Sequence, residues 1–219
     1  MRRIIGGLST DIREFAYHVS LQHRGHHVCG ASILSEFHVL TSASCVLFDL
    51  VVAAGNLCIL VGSNDEFNSD GLGTYYNVRY IIYHPDYSPR LYWKNDIAIL
   101  KLESPINFSS DYTNIEAIQI SNILLSAKST TVVCGWGDDS VEPRESTRNL
   151  KKIHVMIKGE YFCQRYADFP VVNENKICGT TLYPNSFITL GDGGSGIVRN
   201  RMLVGVISVF THFKPLTSF

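Results

Sequence analysis

Hydrophobic residues recur along this chain in short runs, and turn-forming residues separate the runs about every eight to twelve positions. The runs are rich in Val, Ile and Tyr: Ala31–Leu34, Val39–Ser42, Ile59–Val61, Val78–Tyr83, Ile97–Leu102, Thr131–Val133, Ile153–Ile157, Gly196–Val198 and Leu203–Val209. This spacing predicts an all-β protein, either a sandwich or a barrel. Helical periodicity is best in the stretch Gly159–Tyr166, where we expect one short helix.

The composition narrows the class of protein. The chain has 219 residues, of which 45% are hydrophobic and 18% are charged, so it is long enough for a sizeable core and is not disordered or fibrous. A formal charge of −1 gives no sign of nucleic-acid binding, and no apolar run is long enough to span a membrane. The polar stretch Ser104–Ser129 predicts a crossover between two β units, which we place at 4–110 and 111–219.

The six cysteines indicate an oxidising environment. Cys29 with Cys45 and Cys163 with Cys178 would each close a loop of about fifteen residues, and two such disulfides predict a secreted, extracellular protein. Cys58 and Cys134 have no partner by spacing, so we expect them to be buried thiols. The sequon at Asn107 is a candidate glycosylation site.

Five segments, in order along the chain, together resemble one known family. They are Ile4–Gly7 after Arg3, His27–Leu34, Asn95–Leu102, Cys134–Gly137 and Gly191–Gly194. In this order they resemble the chymotrypsin/trypsin-like serine proteases. The resemblance implies two packed antiparallel six-stranded β-barrels, one formed by 4–110 and one by 111–219. Residues 1–3 would be a leader or an activation remnant.

Two of the three catalytic positions that the resemblance implies carry the wrong side chain. The carboxylate is present as Asp96, but Ser44 stands where the family has its histidine, and Gly193 stands where the family has its nucleophilic serine. A serine hydroxyl cannot serve as a general base near neutral pH, and glycine offers no nucleophile. Ser195 lies two residues further on, but it would lack a base. We therefore predict a catalytically inactive homologue.

The resemblance also implies an altered specificity pocket, whereas features of the activation apparatus survive. The resemblance places Phe187 at the base of the pocket and Val209 and Phe210 in its wall, where they would obstruct a substrate side chain; for Phe187 a plain core role is the alternative. Asp192 is the candidate partner of a free amino group at Ile4 after cleavage behind Arg3. Only eleven residues follow Ser208, so we expect a second barrel that is shortened and incompletely closed.

Other candidate sites have weaker support. The acidic segment Ser63–Asp70 has oxygen donors suited to calcium, although a solvated turn is the simpler interpretation. The cations Arg144, Arg148, Lys151, Lys152 and Lys158 have the spacing of an ordinary solvated basic face, with an acidic partner as the alternative. We expect no metal and no cofactor, because the chain lacks zinc-ligand spacing, a P-loop and a dinucleotide fingerprint.

The leading functional hypothesis is a secreted pseudoprotease that acts by binding proteins. The loss of both catalytic residues and the blocked pocket resemble the inactivated group 3 allergen-like proteases of parasitic mites, notably the scabies mite paralogues. That resemblance implies host extracellular proteins as partners, with complement components as candidates. Two alternatives stay open: a weak hydrolase with a rearranged nucleophile, and a decoy for protease substrates or inhibitors.

Overall fold

The computed structural model describes residues 2–4, 6–47, 54–69, 71–109, 115–139, 149–166, 175–183, 185–210 and 217–218. The strands up to residue 110 are β1 (Arg2–Arg3), β2 (Leu8–Ser9), β3 (His18–His23), β4 (His26–Ser35), β5 (His38–Thr41), β6 (Leu57–Val61), β7 (Thr74–Tyr83) and β8 (Ala98–Leu102). The strands that follow are β9 (Gln119–Ile120), β10 (Thr130–Gly135), β11 (Asp138–Asp139), β12 (Lys151–Ile157), β13 (Cys178–Thr181), β14 (Gly196–Arg199), β15 (Met202–Val206), β16 (Val209–Phe210) and β17 (Thr217–Ser218). The predicted helix is α1, Glu160–Tyr166.

Six strands of the first half close into a barrel. The hydrogen-bonded order is β3-β4-β5-β8-β7-β6, and β6 returns to β3 with Val19 opposite Val61. Successive side chains of a strand point to opposite faces, so β7 buries Tyr76 and Val78 while Tyr75 and Asn77 face solvent. This closed six-stranded barrel matches the architecture that the resemblance implies.

The second half forms a nine-stranded sheet rather than a barrel closed by hydrogen bonds among the described residues. The order is β16-β17-β13-β12-β10-β14-β15-β9, and β2 pairs with β12. β13 is not an edge of this sheet, because β17 pairs with both β13 and β16. The short C-terminal segment therefore supplies a strand of its own to this sheet.

An apolar layer joins the two halves. It combines residues from the barrel side with residues of the second sheet: Ile12, Phe15, Tyr17, Leu40, Ile118, Cys134, Trp136, Leu150, Val198 and Leu203. Ile4 lies in a separate cluster inside the second sheet, packed with Ile153, Ile188 and Ile197. Burial of these side chains is the main favourable contribution to folding.

Two disulfides are present at the positions that the spacing indicates. Cys29 is bonded to Cys45 next to the barrel core, and Cys163 of α1 is bonded to Cys178 of β13. Cys134 is a buried thiol, whereas Cys58 is only half-buried, so our expectation for Cys58 was wrong. In the described ranges, no helix combines the length and the apolar character that a bilayer crossing requires.

The Cys163–Cys178 disulfide should contribute measurably to stability. The variant with both residues changed to Ala is expected to lose about 3 kcal/mol of unfolding free energy, because the cross-link no longer restricts the unfolded chain. Urea denaturation under non-oxidising and non-reducing conditions measures this loss. Cys58→Ala is the control, with an expected change below about 1 kcal/mol. A midpoint of denaturation equal to that of the native chain would contradict the prediction.

Candidate functional site

Asp96 and Ser44 meet at the end of the first barrel. Asp96 lies just before β8, and Ser44 lies in the single turn of 3₁₀ helix Ala43–Cys45 that follows β5. The Ser44 amide N–H donates to Asp96 Oδ1 at 2.7 Å, and the Ser44 hydroxyl donates to Oδ2 at 2.9 Å. The carboxylate therefore binds a hydroxyl at the position where the resemblance implies an imidazole.

Two groups from the second half complete the surroundings of this carboxylate. The Ser208 hydroxyl donates to Asp96 Oδ2 at 2.6 Å. Lys176 donates to Ser208 Oγ at 3.2 Å and to the carbonyl oxygen of Tyr92 at 2.9 Å. Lys176 is only 5% exposed, and this burial lowers the pKa of its ammonium group, while the nearby charge of Asp96 acts in the opposite direction. Sequence reasoning missed Lys176 and Ser208 as members of this cluster.

Gly193 provides no functional group. Its carbonyl oxygen accepts the Gly30 amide N–H at 2.8 Å, which joins its loop to β4. A Cβ at Gly193 would lie 3.6 Å from Cys45 Sγ and 3.7 Å from Cys29 Sγ, which is ordinary van der Waals contact. The fold thus has space for a side chain at Gly193, the position where the resemblance implies a nucleophilic serine.

The Asp192 carboxylate is buried and is held by neighbouring backbone. Oδ1 accepts the Gly137 amide N–H at 2.8 Å, and Oδ2 accepts the Thr189 amide N–H at 2.9 Å and the Thr189 hydroxyl at 3.2 Å. A Cβ at Gly135 or Gly137 would overlap this carboxylate, which explains why both positions are glycine. Ile4 is fully buried in the uncleaved chain, so its ion pair with Asp192 stays a prediction.

Two histidines of the first barrel lie in the interface beside Trp136. His27 shares a hydrogen bond of 2.8 Å with Ser20 Oγ through Nδ1 and one of 3.0 Å with the Gly191 carbonyl oxygen through Nε2. His18 stacks on Trp136, with ring centroids 4.7 Å apart, and is fully buried. His18 is buried because the outer side of its strand packs against Trp136.

His18 and Ser195 form a buried polar group around Gly30. A Cβ at Gly30 would overlap Ser195 Oγ and would lie 2.9 Å from His18 Cε1. Neither ring nitrogen of His18 nor the Ser195 hydroxyl has a partner with good hydrogen-bond geometry among the described residues, although the Ala31 carbonyl lies near the ring. Burial, with a contribution from the charge of His27, lowers the pKa of His18 to about 3.

Comparison with known proteins shows the family to which the chain belongs. The family model described as Trypsin matches residues 4–214. The chain belongs to the trypsin family. It is 34% identical over 209 residues to trypsin epsilon of Drosophila erecta and 32% identical over 209 residues to hypodermin-A of Hypoderma lineatum, and each match covers 94% of this chain and 77% of the relative. The solved structure of human heparin binding protein shares the fold, with a TM-score of 0.81, 24% identity and coverage of 99% of this chain and 90% of that one.

The pocket residues of this trypsin-family chain are only partly described. Phe187 is half-buried, and the side chains of Val209 and Phe210 lie outside the described residues. Thr189 is buried, and its hydroxyl donates to Asp192 Oδ2 at 3.2 Å. Obstruction of the pocket by the three residues therefore stays a prediction.

The weaker candidate sites have local structural roles in this trypsin-family fold. Asp65 is 7% exposed, and its carboxylate accepts the amide N–H groups of Phe67 and Ser69, so the expectation of a solvated turn was wrong there. In the part of the chain that the structure describes, no group of three or more His, Cys, Asp or Glu residues is arranged for a metal ion. Asp70 lies outside that part.

The predicted basic face is not a single free surface. Lys152 bonds to Glu14 at 2.6 Å, and Lys158 lies over the Phe162 ring at 5.2 Å. Arg144 and Arg148 lie outside the described residues. Asn107 is exposed, and its side-chain oxygen accepts the Ser109 amide N–H at 2.9 Å, so glycosylation there stays a prediction.

Lys176 and Asp96 should be energetically coupled. Lys176→Met and Asp96→Asn are each expected to lower the unfolding free energy by about 2–4 kcal/mol, because each leaves a buried charge without compensation. The double variant should lose less than the sum of the two, because it leaves no unpaired charge. Urea denaturation of the four proteins gives the coupling energy, and strictly additive losses would show that the two groups do not interact.

His18 should make the fold sensitive to acid. The unfolded chain binds a proton at His18 near pH 6.5, whereas the folded chain binds it only near pH 3, so stability falls as the pH drops through this interval and is unaffected above it. His18→Phe keeps a ring on Trp136 and should reduce the slope by about 1.4 kcal/mol per pH unit. Thermal unfolding across this range measures the slope. Ser195→Ala, the non-titrating control, should shift stability equally at every pH, and an unchanged slope in His18→Phe would reject the assignment.

Proposed function

We propose that this trypsin-family chain is a secreted pseudoprotease that acts by binding other proteins. One observation carries the proposal: the Asp96 carboxylate accepts hydrogen bonds from the Ser44 amide and hydroxyl, at the place where an imidazole would have to stand. The proton affinity of a serine hydroxyl is far too low for it to activate a nucleophile near neutral pH. Gly193 adds the second defect, because it has no hydroxyl to be activated.

The surroundings of Asp96 support an altered role for this centre. In a working triad the carboxylate orients an imidazole and stabilises its positive charge. Here the hydroxyls of Ser44 and Ser208 both donate to one oxygen of Asp96, and the positive charge belongs to Lys176 behind Ser208. Lys176 is buried, so its ammonium is directed to groups inside the protein and not to a substrate. The arrangement favours a fixed structural centre over a catalytic one.

A rearranged hydrolase is the main competitor, and the burial of Ser195 argues against it. The Ser195 hydroxyl is fully buried, and the imidazole beside it, His18, is stacked under Trp136. A nucleophile must approach the substrate carbonyl to about 3 Å, and a fully buried hydroxyl cannot do so without opening of the interface.

Fluorophosphonate labelling tests the absence of a nucleophile. The native chain is expected to remain unlabelled at concentrations where an active trypsin is labelled completely. Ser195→Ala should also remain unlabelled. Labelling of the native chain that disappears in Ser195→Ala would establish the rearranged hydrolase and reject the pseudoprotease.

Binding and inhibition of complement is the specific form of the proposal. The two disulfides fit an extracellular protein. The combined loss at Ser44 and Gly193 resembles the inactivated group 3 allergen-like proteases of mites, which links this chain to host extracellular proteins and complement components as partners.

Human serum provides the test. Lysis of target cells by complement should fall with increasing concentration of the purified chain, while no serum component is cleaved. The Cys163→Ala and Cys178→Ala double variant, which keeps only the Cys29–Cys45 disulfide and is unfolded by mild heat, is the matched negative control. Unchanged lysis at micromolar concentrations would reject the complement role and leave the lack of catalysis as a separate question.

A further inference from the structure

The hairpin Arg79–Lys101 has an unusual concentration of exposed apolar side chains. It runs from β7 through a loop to β8, and its exposed large apolar residues are Tyr80, Ile82, Tyr83, Leu91, Tyr92 and Ile97. Single exposed apolar residues are normal on a protein surface, but a set on one continuous hairpin is typical of an interaction site. We call the exposed side chains of Arg79–Lys101 the hairpin surface.

The hairpin surface is also cationic. The segment contains four cationic side chains, Arg79, Arg90, Lys94 and Lys101, and all four are exposed. Its two carboxylates are Asp86, which is exposed, and Asp96, which is 8% exposed and bonded inside the protein. The formal charge of the hairpin is therefore +2, whereas the net charge of the whole chain is −1. The hairpin surface thus suits an anionic partner.

Aromatic and cationic groups are adjacent on this surface. The Arg79 guanidinium lies over the Tyr80 ring at 5.2 Å from the centroid, and Lys101 is the cross-strand partner of Tyr80. Ile82 lies two residues further along β7, opposite Ile99. Tyr and Arg are the residue types that contribute most to binding at protein interfaces, whereas Ile and Leu gain nothing from contact with a plain polyanion.

The loop of the hairpin is held in one conformation. Tyr92, Trp93 and Asn95 have left-handed backbone angles, with φ of 53°, 53° and 54°. Asn adopts this conformation readily, but large aromatic residues such as Tyr92 and Trp93 rarely do so without support from the surrounding structure. The support comes from the second half: Lys176 donates to the Tyr92 carbonyl at 2.9 Å, and Asn175 donates to Asn95 Oδ1 at 3.0 Å. A loop fixed in this way loses little further freedom on binding.

We propose that the hairpin surface is where this chain binds its partner, and that the partner presents acidic side chains with apolar side chains among them. This inference rests on the proposed function as a binding protein and names the surface that it uses. The apolar side chains favour a protein partner, because apolar side chains of a protein can cover Ile82, Leu91 and Ile97 while its carboxylates meet the cations.

Titration with a synthetic probe tests the surface independently of complement. The probe is a short acetylated peptide in which Phe and Leu alternate with Asp and Glu, and poly-Glu of equal length and heparin are the comparison ligands. The native chain should bind the alternating peptide at least about tenfold more tightly than either comparison ligand.

Two variant pairs and one control pair locate the binding. Tyr80→Ser with Ile82→Ser, and Arg79→Glu with Lys101→Glu, should each weaken peptide binding by about tenfold or more. Ile123→Ser with Leu124→Ser is the matched control, because both residues are exposed and lie outside the hairpin. Circular dichroism confirms that all variants are folded. Absence of peptide binding, equal binding of heparin or poly-Glu, or equal weakening in the control pair would overturn the proposal.

The serum assay separates this proposal from the proposed function. If the native chain inhibits lysis, both hairpin pairs should inhibit at least about tenfold less well, and undiminished inhibition by both would reject the hairpin surface while keeping the function. If the native chain does not inhibit lysis, the complement role fails, and the peptide titration alone decides whether the hairpin surface binds acidic protein segments.

Discussion

The Asp96 carboxylate lies at the junction of the two halves and accepts hydrogen bonds from both. Ser44 donates from the first barrel, Ser208 donates from the second half, and Lys176 supplies a positive charge on the far side of Ser208. A buried carboxylate is costly unless it is hydrogen-bonded and its charge is balanced. Since these donors belong to separate parts of the chain, the centre is complete only when the two halves are packed together.

The rest of the interface is also built from groups of both halves. Trp136, from the second sheet, stacks on His18 of the barrel, and its indole N–H donates to the Asn64 carbonyl at 2.9 Å. Around it, apolar side chains of both halves exclude water. The Asp192 carboxylate is satisfied by backbone amides of its own half. The Asp96 and Asp192 carboxylates are therefore held by groups from loops, and Asp96 is held by groups from both halves.

Much of this arrangement could be predicted from local sequence. Alternating apolar positions predict the strands of the closed barrel, and Gly159–Tyr166 coincides with α1. The run Leu203–Val209 predicts one strand, whereas the structure divides it between β15, which ends at Val206, and β16, which begins at Val209. Lys176 could not be predicted, since no local pattern marks a lysine as buried. Its partners, Tyr92 and Ser208, are 84 and 32 residues away along the chain.

The position of Lys176 gives the Asp96 carboxylate a structural role. Lys176 donates hydrogen bonds to two acceptors. One is the hydroxyl oxygen of Ser208, which is itself bonded to Asp96, and the other is the carbonyl oxygen of Tyr92 in the left-handed turn of the hairpin loop. Asp96 offsets part of the cost of burying the ammonium group, so the carboxylate indirectly stabilises the strained turn. In an enzyme, that carboxylate would orient an imidazole. In this chain, the same carboxylate stabilises the cation that holds an exposed loop in position.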